Sequence, residues 1–313
     1  MTKPLPWYVD VGPVRRWIAA QEAAGHGDEA WVRVAAWERM VAEHGVVRTW
    51  REGRVGHLQL SYPPKGNAFV PPMYRMFAAA IEELALDDDV WVIVISGAGK
   101  SFSTGGYVGE NAFFAGLDAG AHGTSPEPMR RTNVEWFHDP QKAIYNVEKP
   151  TIAMINGLAL GEAVDIALCC DFRVGHPDSD LWFSFGHTGN TAYTGSAWLL
   201  PRLIGVAKAK HLLLTAARIT GREAYEAGLY ARLADDAEAL ESVTAALADR
   251  VASLPPITLR LIKKEIHRGL EIANYDSNLD LTSMIEPIVQ FTEDHMDAER
   301  AVVEKRPPVV RGH

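Results

Sequence analysis

Twice in this chain an apolar strand pattern runs directly into glycines and then into a helix pattern. The first segment reads VIVISGAGKSFSTGGYVGEN (92–111), and the second reads KPTIAMINGLALGEAVDIALCCD (149–171). The strand Val90–Ser96 is apolar on both faces, which is typical of a sheet covered by helices and predicts an α/β fold. A helix that begins after glycines exposes backbone N–H groups at its positive end. Each loop is therefore a candidate site for an anion or an oxyanion.

Neither loop matches a nucleotide-binding motif. Gly97-Ala98-Gly99 begins the dinucleotide pattern G-x-G-x-x-G, but Phe102 stands where the third glycine is needed. Gly99-Lys100-Ser101 ends like a Walker A loop, yet Val94 replaces the glycine that opens one. For either loop taken alone, a tight strand-to-helix connection remains the alternative to a binding site.

The spacing of apolar residues divides the chain into three parts. Residues 1–45 carry a helical pattern interrupted at Gly25–Gly27, which predicts an N-terminal arm of two helices. Strand and helix patterns alternate over 46–240, the predicted core. Residues 241–313 are predicted to be a helical C-terminal region, with breaks near Asn274 and Pro287.

Charge and composition argue against several classes of partner. The chain has 313 residues, 47% of them apolar, and its 40 acidic residues against 31 lysines and arginines give a formal net charge of −9. Nucleic acids and anionic membrane surfaces both favour basic chains, so neither is expected as a partner. The two cysteines, Cys169 and Cys170, are adjacent, which fits neither a disulfide framework nor a zinc motif. The N-terminus shows no apolar stretch typical of a signal peptide. Together with the cysteine pattern, this predicts a reduced, cytoplasmic protein.

Two further segments extend the pattern around the loops. RVGHLQLSYPPKGNAF (54–69) precedes the first loop, and PRLIGVAKAKHLLLTAARITGREAYEAGL (201–229) follows the second. With them, the chain resembles the enoyl-CoA hydratase/isomerase, or crotonase, superfamily from Val46 onward. The resemblance implies a crotonase-like (ClpP/crotonase) ββα spiral with a helical C-terminal oligomerisation region. It also implies a homotrimer or a dimer of trimers.

The same resemblance implies a site for acyl-CoA thioesters. The thioester oxygen is expected to accept two backbone N–H groups, which by position belong to Gly106 and Glu162. Residues implied to lie near coenzyme A are Ala68, Ser103, Gly105 and Gly161. Coenzyme A enters as part of the substrate, and no metal or redox cofactor is implied.

The acid and base residues depart from the pattern of simple hydratases, in which two glutamates flank the attacking water. The first glutamate position falls on Asp165, which is one methylene shorter, and the second falls on or near Phe185. Glu162 stands where a glycine is expected, which brings a carboxyl beside the oxyanion site. With one of the two carboxylates lost, simple hydration is disfavoured.

Several side chains remain candidates for proton transfer. Asp165 and His187 are the two preferred candidates, and Glu162 either uses its carboxyl or lends only its N–H group. Tyr193 and Glu110 are further candidates. Each has a structural alternative, such as a capping, loop or packing role.

The stretch FGHTGNTAYTGSAWLLPRLIG (185–205) is similar to the 1,4-dihydroxy-2-naphthoyl-CoA synthase branch and to ring-opening 2-ketocyclohexanecarboxyl-CoA hydrolases. This similarity predicts hydratase/lyase or C–C bond hydrolase chemistry on a bulky or cyclic acyl-CoA, through a thioester enolate held in an oxyanion hole. The aromatic residues over 182–198 either fill the core or line a flat acyl pocket. The alternatives are an enoyl-CoA isomerase and a non-catalytic acyl-CoA-binding homologue.

Overall fold

The computed structural model describes residues 4–107 and 127–313. Its strands are β1 (Val47–Glu52), β2 (Val55–Leu60), β3 (Val92–Gly97), β4 (Ser101–Ser103), β5 (Thr151–Ile155), β6 (Leu158–Leu160), β7 (Phe172–Gly175), β8 (Asp180–Trp182), β9 (Arg218–Thr220) and β10 (Arg232–Leu233). Its helices are α1 (Gly12–Ala23), α2 (Gly27–His44), α3 (Pro71–Leu86), α4 (Glu127–Thr132), α5 (Asp139–Asn146), α6 (Glu162–Cys169), α7 (Ser196–Ile204), α8 (Val206–Leu214), α9 (Gly221–Glu226), α10 (Leu240–Ala252), α11 (Pro256–Gly269), α12 (Tyr275–Gln290) and α13 (Glu293–Glu304).

The strands form two sheets, with the order β1-β2-β3-β5-β7-β10 in the larger and β4-β6-β8-β9 in the smaller. β1 and β2 form an antiparallel hairpin, and β2, β3, β5, β7 and β10 pair in parallel. Three times the chain passes from the larger sheet to the smaller within a few residues, from β3 to β4, β5 to β6 and β7 to β8. This repeat is the ββα spiral that the resemblance implies.

Glycines permit the sharp passage between the sheets. A Cβ on Gly97 would lie 2.2 Å from the carbonyl oxygen of Ser101, and one on Gly157 would lie 1.9 Å from that of Lys100. Both separations are far below van der Waals contact, so neither position accepts a larger residue without a shift of the backbone. The glycines of both loops therefore serve the fold as well as the site.

Buried apolar side chains cover both faces of the larger sheet, as the pattern of β3 predicts. Ile93 and Ile95 belong to a cluster that also contains Trp17 and Trp37 of the N-terminal helices. The alternate residues of β3 point to the other face, where they join side chains of α10. Both N-terminal and C-terminal segments thus pack on the central sheet.

Two features of the helices bear on the sequence predictions. The N-terminal helices are interrupted between Ala23 and Gly27, which confirms the predicted break. The break predicted near Asn274 is confirmed, because α11 ends at Gly269 and α12 begins at Tyr275. α12 runs through Pro287 to Gln290, so the break predicted near Pro287 falls between α12 and α13. The proline removes one intrahelical hydrogen bond, and only the last turn follows it. In the two described ranges, no helix has the length and apolarity to cross a bilayer.

Candidate active site

Asn67 fastens the first glycine loop to the segment that precedes α3. Its buried side chain donates from Nδ2 to the carbonyl oxygens of Ala98 (2.9 Å) and Ser101 (2.8 Å). The Ser103 hydroxyl donates to the carbonyl oxygen of Asn67 at 2.8 Å and accepts the N–H of Gly105 at 3.1 Å. The resemblance places Ser103 near coenzyme A, and in the structure its two hydrogen bonds to backbone hold the first glycine loop in position.

The second glycine loop delivers the N-terminus of α6. Gly161 has a positive φ of 55°, and its N–H donates to the carbonyl oxygen of Trp182 at 2.9 Å. Glu162 is the first residue of α6, so its N–H lies at the positive end of the helix and has no partner within it.

The two loops meet. A Cβ on Gly105 would lie 2.5 Å from the carbonyl oxygen of Leu160 and 3.5 Å from the nitrogen of Glu162. A Cβ on Gly106 would lie 3.5 Å from Oε2 of Glu162. Among residues 4–107 and 127–313, no acceptor takes the N–H of Gly106 or of Glu162. The structure therefore brings together the two amides that the sequence singles out.

Replacing Gly105 with alanine should separate these loops. Gly105 has a φ of 73°, and the added Cβ would meet the backbone oxygen of Leu160, which cannot move aside as a side chain can. We expect the free energy of unfolding to fall by about 1–3 kcal/mol. We also expect turnover to fall, and by a larger fraction than the free energy of unfolding. Urea unfolding and steady-state kinetics of the variant test this, with Gly53→Ala in the β1–β2 turn as the control. Gly53 has a φ of 56° but no atom near its Cβ position, so equal effects of both substitutions would show that the contact is unimportant.

A cavity of about 430 Å³ opens where the loops meet. Of the residues predicted to bind coenzyme A, it is lined by Ala68, Gly105 and Gly161. Gly106 and Glu162 line it as well. Its aromatic lining consists of Phe69, Tyr74, Tyr107, Phe137, Phe185 and Tyr193.

The carboxyl of Glu162 is buried at the inner wall of this cavity. Its Oε2 accepts the hydroxyl of Tyr74 at 2.9 Å, and its Oε1 accepts Nε2 of Gln141 at 3.3 Å. Burial raises the pKa of Glu162 to about 7, against the lowering effect of these two donors, and the charge of Asp165 raises it further. A carboxyl with this pKa can both accept and donate a proton near neutral pH.

Asp165 lies one turn deeper in α6 and does not line the cavity. It is fully buried, and its Oδ2 accepts the hydroxyl of Thr194 at 2.5 Å. Burial raises the pKa of Asp165 to about 6, while the Thr194 hydroxyl and the hydroxyl and N–H of Ser196 lower it.

The buried Asp165 predicts a pH dependence of stability. The ordinary pKa of this side chain is 3.8, against about 6 in the folded protein. Between these values the folded state keeps a proton that the unfolded state releases, so stability falls as pH rises from about 4 to 6. Asp165→Asn should remove this part of the decline, on the order of 2–3 kcal/mol, in urea unfolding at several pH values. Asp28→Asn, which alters an exposed carboxyl, is the control, and parallel curves for wild type and Asp165→Asn would refute the prediction.

His187 lies outside the cavity. The chain forms a 3-10 helix over Ser184–Thr188 that turns Phe185 inward and leaves His187 exposed, with its ring 5.9 Å from that of Trp182. Tyr193 does reach the cavity, and its carbonyl oxygen lies 2.9 Å from Nε2 of His138. The candidate Glu110 lies outside the described residues.

Tyr74 and Gln141 are the site residues that sequence reasoning misses. Both lie on amphipathic helices, α3 and α5, and both are buried. The available signal is chemical, because a tyrosine or a glutamine on an apolar helix face needs a polar partner when it is buried. The sequence does not say that the partner of both is Glu162.

Comparisons with known proteins identify the family of the chain. The family model described as enoyl-CoA hydratase/isomerase matches residues 51–313. A 1,2-epoxyphenylacetyl-CoA isomerase of Escherichia coli is 28% identical over 82% of this chain and 94% of its own length. A putative enoyl-CoA hydratase of Thermus thermophilus is 32% identical over 82% of this chain and 97% of its own.

Solved structures give the same result for the fold. A probable enoyl-CoA hydratase/isomerase of Mycobacterium abscessus superposes with a TM-score of 0.75 at 28% identity, covering 85% of this chain and 98% of that one. A putative enoyl-CoA hydratase of Streptomyces coelicolor gives 0.78 at 25% identity, covering 86% and 94%. The α/β spiral is thus the crotonase fold, and the chain belongs to the enoyl-CoA hydratase/isomerase family of acyl-CoA-transforming enzymes.

Proposed function

We propose that this enzyme forms and reprotonates the enolate of an acyl-CoA thioester. The observation that carries the proposal is the pair of N–H groups of Gly106 and Glu162, which lie at the meeting point of two loops beside a buried carboxyl. In this proposal the thioester oxygen lies between the two N–H groups. Fixed donors stabilise the negative charge that develops on the oxygen, at about 3–4 kcal/mol for each donor.

In the proposed reaction Glu162 moves the proton. Its carboxylate takes a proton from the carbon next to the thioester carbonyl, the electrons of that C–H bond form the enolate double bond, and the carbonyl electrons move to the thioester oxygen. When the carboxyl returns the proton to another carbon of the conjugated system, the carbonyl reforms and a double bond has shifted. The reaction neither gains nor loses electrons, so it needs no redox cofactor.

The number of carboxyls at the cavity favours isomerisation. Among the described residues, Glu162 supplies the one carboxyl that lines the cavity, while Asp165 is buried behind it and Phe185 presents a ring. One acid/base group suffices to move a proton between two carbons. Addition of water is favoured by a second group that activates the water. We therefore place isomerisation ahead of the hydratase/lyase and C–C hydrolase reactions that the sequence predicts.

The aromatic lining supports a bulky or cyclic acyl group as the substrate class. Rings surround the cavity on several sides, and Tyr74 stacks on Phe137 with 4.6 Å between the ring centres. Flat apolar groups bind well between such rings. One relative, the 1,2-epoxyphenylacetyl-CoA isomerase, is named for a substrate of this shape.

We also propose a homo-oligomer, either a trimer or a dimer of trimers, in the cytoplasm. Large apolar side chains are exposed on the C-terminal helices, for example at Ile266, Met284, Phe291 and Val303, and contiguous exposed apolar surface is typical of an interface. Both cysteines are buried as free thiols, which supports a reducing compartment. Light scattering coupled to size exclusion measures the assembly.

Solvent deuterium exchange tests the proposed function. Purified enzyme is incubated in D2O with crotonyl-CoA, 3-butenoyl-CoA, 2-cyclohexenylcarboxyl-CoA, phenylacetyl-CoA and 2-ketocyclohexanecarboxyl-CoA, and products are analysed by mass spectrometry. We expect deuterium in the acyl groups, with double-bond migration in 3-butenoyl-CoA and 2-cyclohexenylcarboxyl-CoA that is faster with the cyclic substrate. Hydration by D2O would add about 20 mass units, and C–C cleavage would open the ring of 2-ketocyclohexanecarboxyl-CoA. Either product would replace isomerisation as the reaction. Binding without exchange would identify a non-catalytic acyl-CoA-binding protein.

A further inference from the structure

We propose that Tyr74, together with Gln141, is a positioning residue that presents the carboxyl of Glu162 to the acyl group. The inference rests on the proposed function, because it takes Glu162 as the group that moves the proton. It adds the residues that hold this carboxyl in place, which come from two other helices of the fold.

Tyr74 is placed to hold one particular oxygen. Its hydroxyl donates to Oε2 of Glu162 at 2.9 Å, and Oε2 is also the oxygen 3.5 Å from the Cβ position of Gly106. The Tyr74 hydroxyl itself lies 3.7 Å from the same Cβ position. The contact therefore fixes the carboxyl oxygen that lies beside Gly106.

Gln141 holds the other oxygen. Its Nε2 donates to Oε1 of Glu162 at 3.3 Å from α5, on a side chain that is itself buried. With one donor on each oxygen, rotation of the carboxyl would break both hydrogen bonds. A long and otherwise mobile side chain at the first turn of α6 is thus held in one orientation.

The ring of Tyr74 is fixed in turn. α3 begins with Pro71 and Pro72, which set the direction of its first turn. The ring is stacked on Phe137 and packs at 5.3 Å from Phe69. A buried ring held on two sides leaves its hydroxyl little freedom.

The donors also favour the charged form of the carboxyl. Both Tyr74 and Gln141 lower the pKa of Glu162, while burial raises it. Tyr74 remains a donor because burial raises the pKa of its own hydroxyl well above the usual value, and the charge of Glu162 raises it further. Loss of either donor should therefore make Glu162 harder to ionise.

Tyr74→Phe tests the proposal through a pH profile. We expect the acidic limb of kcat/KM to move to higher pH by about one unit, with about tenfold lower kcat/KM below the limb and little change in KM. Gln141→Met should move it in the same direction by less, because its hydrogen bond is longer. Tyr230→Phe is the matched control, since Tyr230 is a buried tyrosine whose hydroxyl lies 3.1 Å from Oγ of Ser179, away from the cavity lining.

A direct titration separates this proposal from the proposed function. The protein is labelled with 13C at the glutamate carboxyls, and the Glu162 resonance is assigned by its absence in Glu162→Gln. If the resonance titrates at higher pH in Tyr74→Phe than in wild type, the positioning role stands even if no thioester is turned over. If the enzyme exchanges deuterium but neither the limb nor the resonance moves in Tyr74→Phe, the positioning role is overturned while the proposed function stands. An effect of Tyr230→Phe as large as that of Tyr74→Phe would also overturn it.

Discussion

Glu162→Gln will lower turnover by about 10²- to 10⁴-fold. Glutamine keeps the shape of the side chain and the backbone N–H at position 162, but its amide cannot take up and return a proton. The hydrogen bonds from Tyr74 and Gln141 show that the cavity wall already accommodates a planar group of this size. The affinity for the acyl-CoA should therefore stay within a few-fold, and the loss should appear in kcat.

The pH profile gives the same prediction a second readout. Because burial raises the pKa of Glu162 to about 7, wild-type kcat/KM should fall as pH drops through that value, where the carboxylate base becomes protonated. The residual activity of Glu162→Gln should lack this limb. Glu82→Gln, which alters an exposed carboxyl on α3, is the matched control. Turnover of Glu162→Gln within threefold of wild type would remove Glu162 from the reaction.

The second large effect is expected for Gly106→Pro. Proline has no N–H, so the variant loses one of the two donors proposed for the thioester oxygen. Removal of one such donor lowers kcat by about 10²- to 10³-fold. Because the charge on the oxygen is larger in the enolate than in the bound thioester, the loss should be greater in kcat than in KM.

Gly106→Ala distinguishes the loss of the N–H donor from a change in the local backbone structure. Alanine keeps the N–H, and its Cβ would lie 3.5 Å from Oε2 of Glu162 and 3.7 Å from the hydroxyl of Tyr74, which is ordinary contact. We expect Gly106→Ala to retain far more turnover than Gly106→Pro, with both variants compared by near-ultraviolet circular dichroism. Equal turnover of the two would show that the N–H of Gly106 does not carry catalysis.

The parts of the site that depend on backbone were predictable from the sequence. Glycines after an apolar strand predict a sharp turn with exposed N–H groups, because a residue with a Cβ does not fit so close to neighbouring backbone. Gly105, Gly106 and Gly161, which the resemblance assigns to the site, line one cavity.

The side chains that handle protons were less predictable. Glu162 and Asp165 lie three residues apart on one helix, so sequence spacing alone does not rank them. In the fold, only the first turn of α6 borders the cavity, and Asp165 lies one turn deeper. His187 and Phe185 are two residues apart, but the 3-10 helix turns the ring inward and the imidazole outward.

The sequence by itself therefore determined the α/β class, the two glycine loops and the break between the N-terminal helices, because each follows from local conformational preference. The choice of Gly106 and Glu162 as the backbone donors came from the resemblance to the crotonase superfamily. Only the tertiary structure decided which carboxyl faces the cavity and which partners hold it. Tyr74 meets Glu162 across 88 positions of sequence. Such a contact depends on how three helices pack around the sheets, and the hydrogen-bonding capacity of a tyrosine does not name its partner.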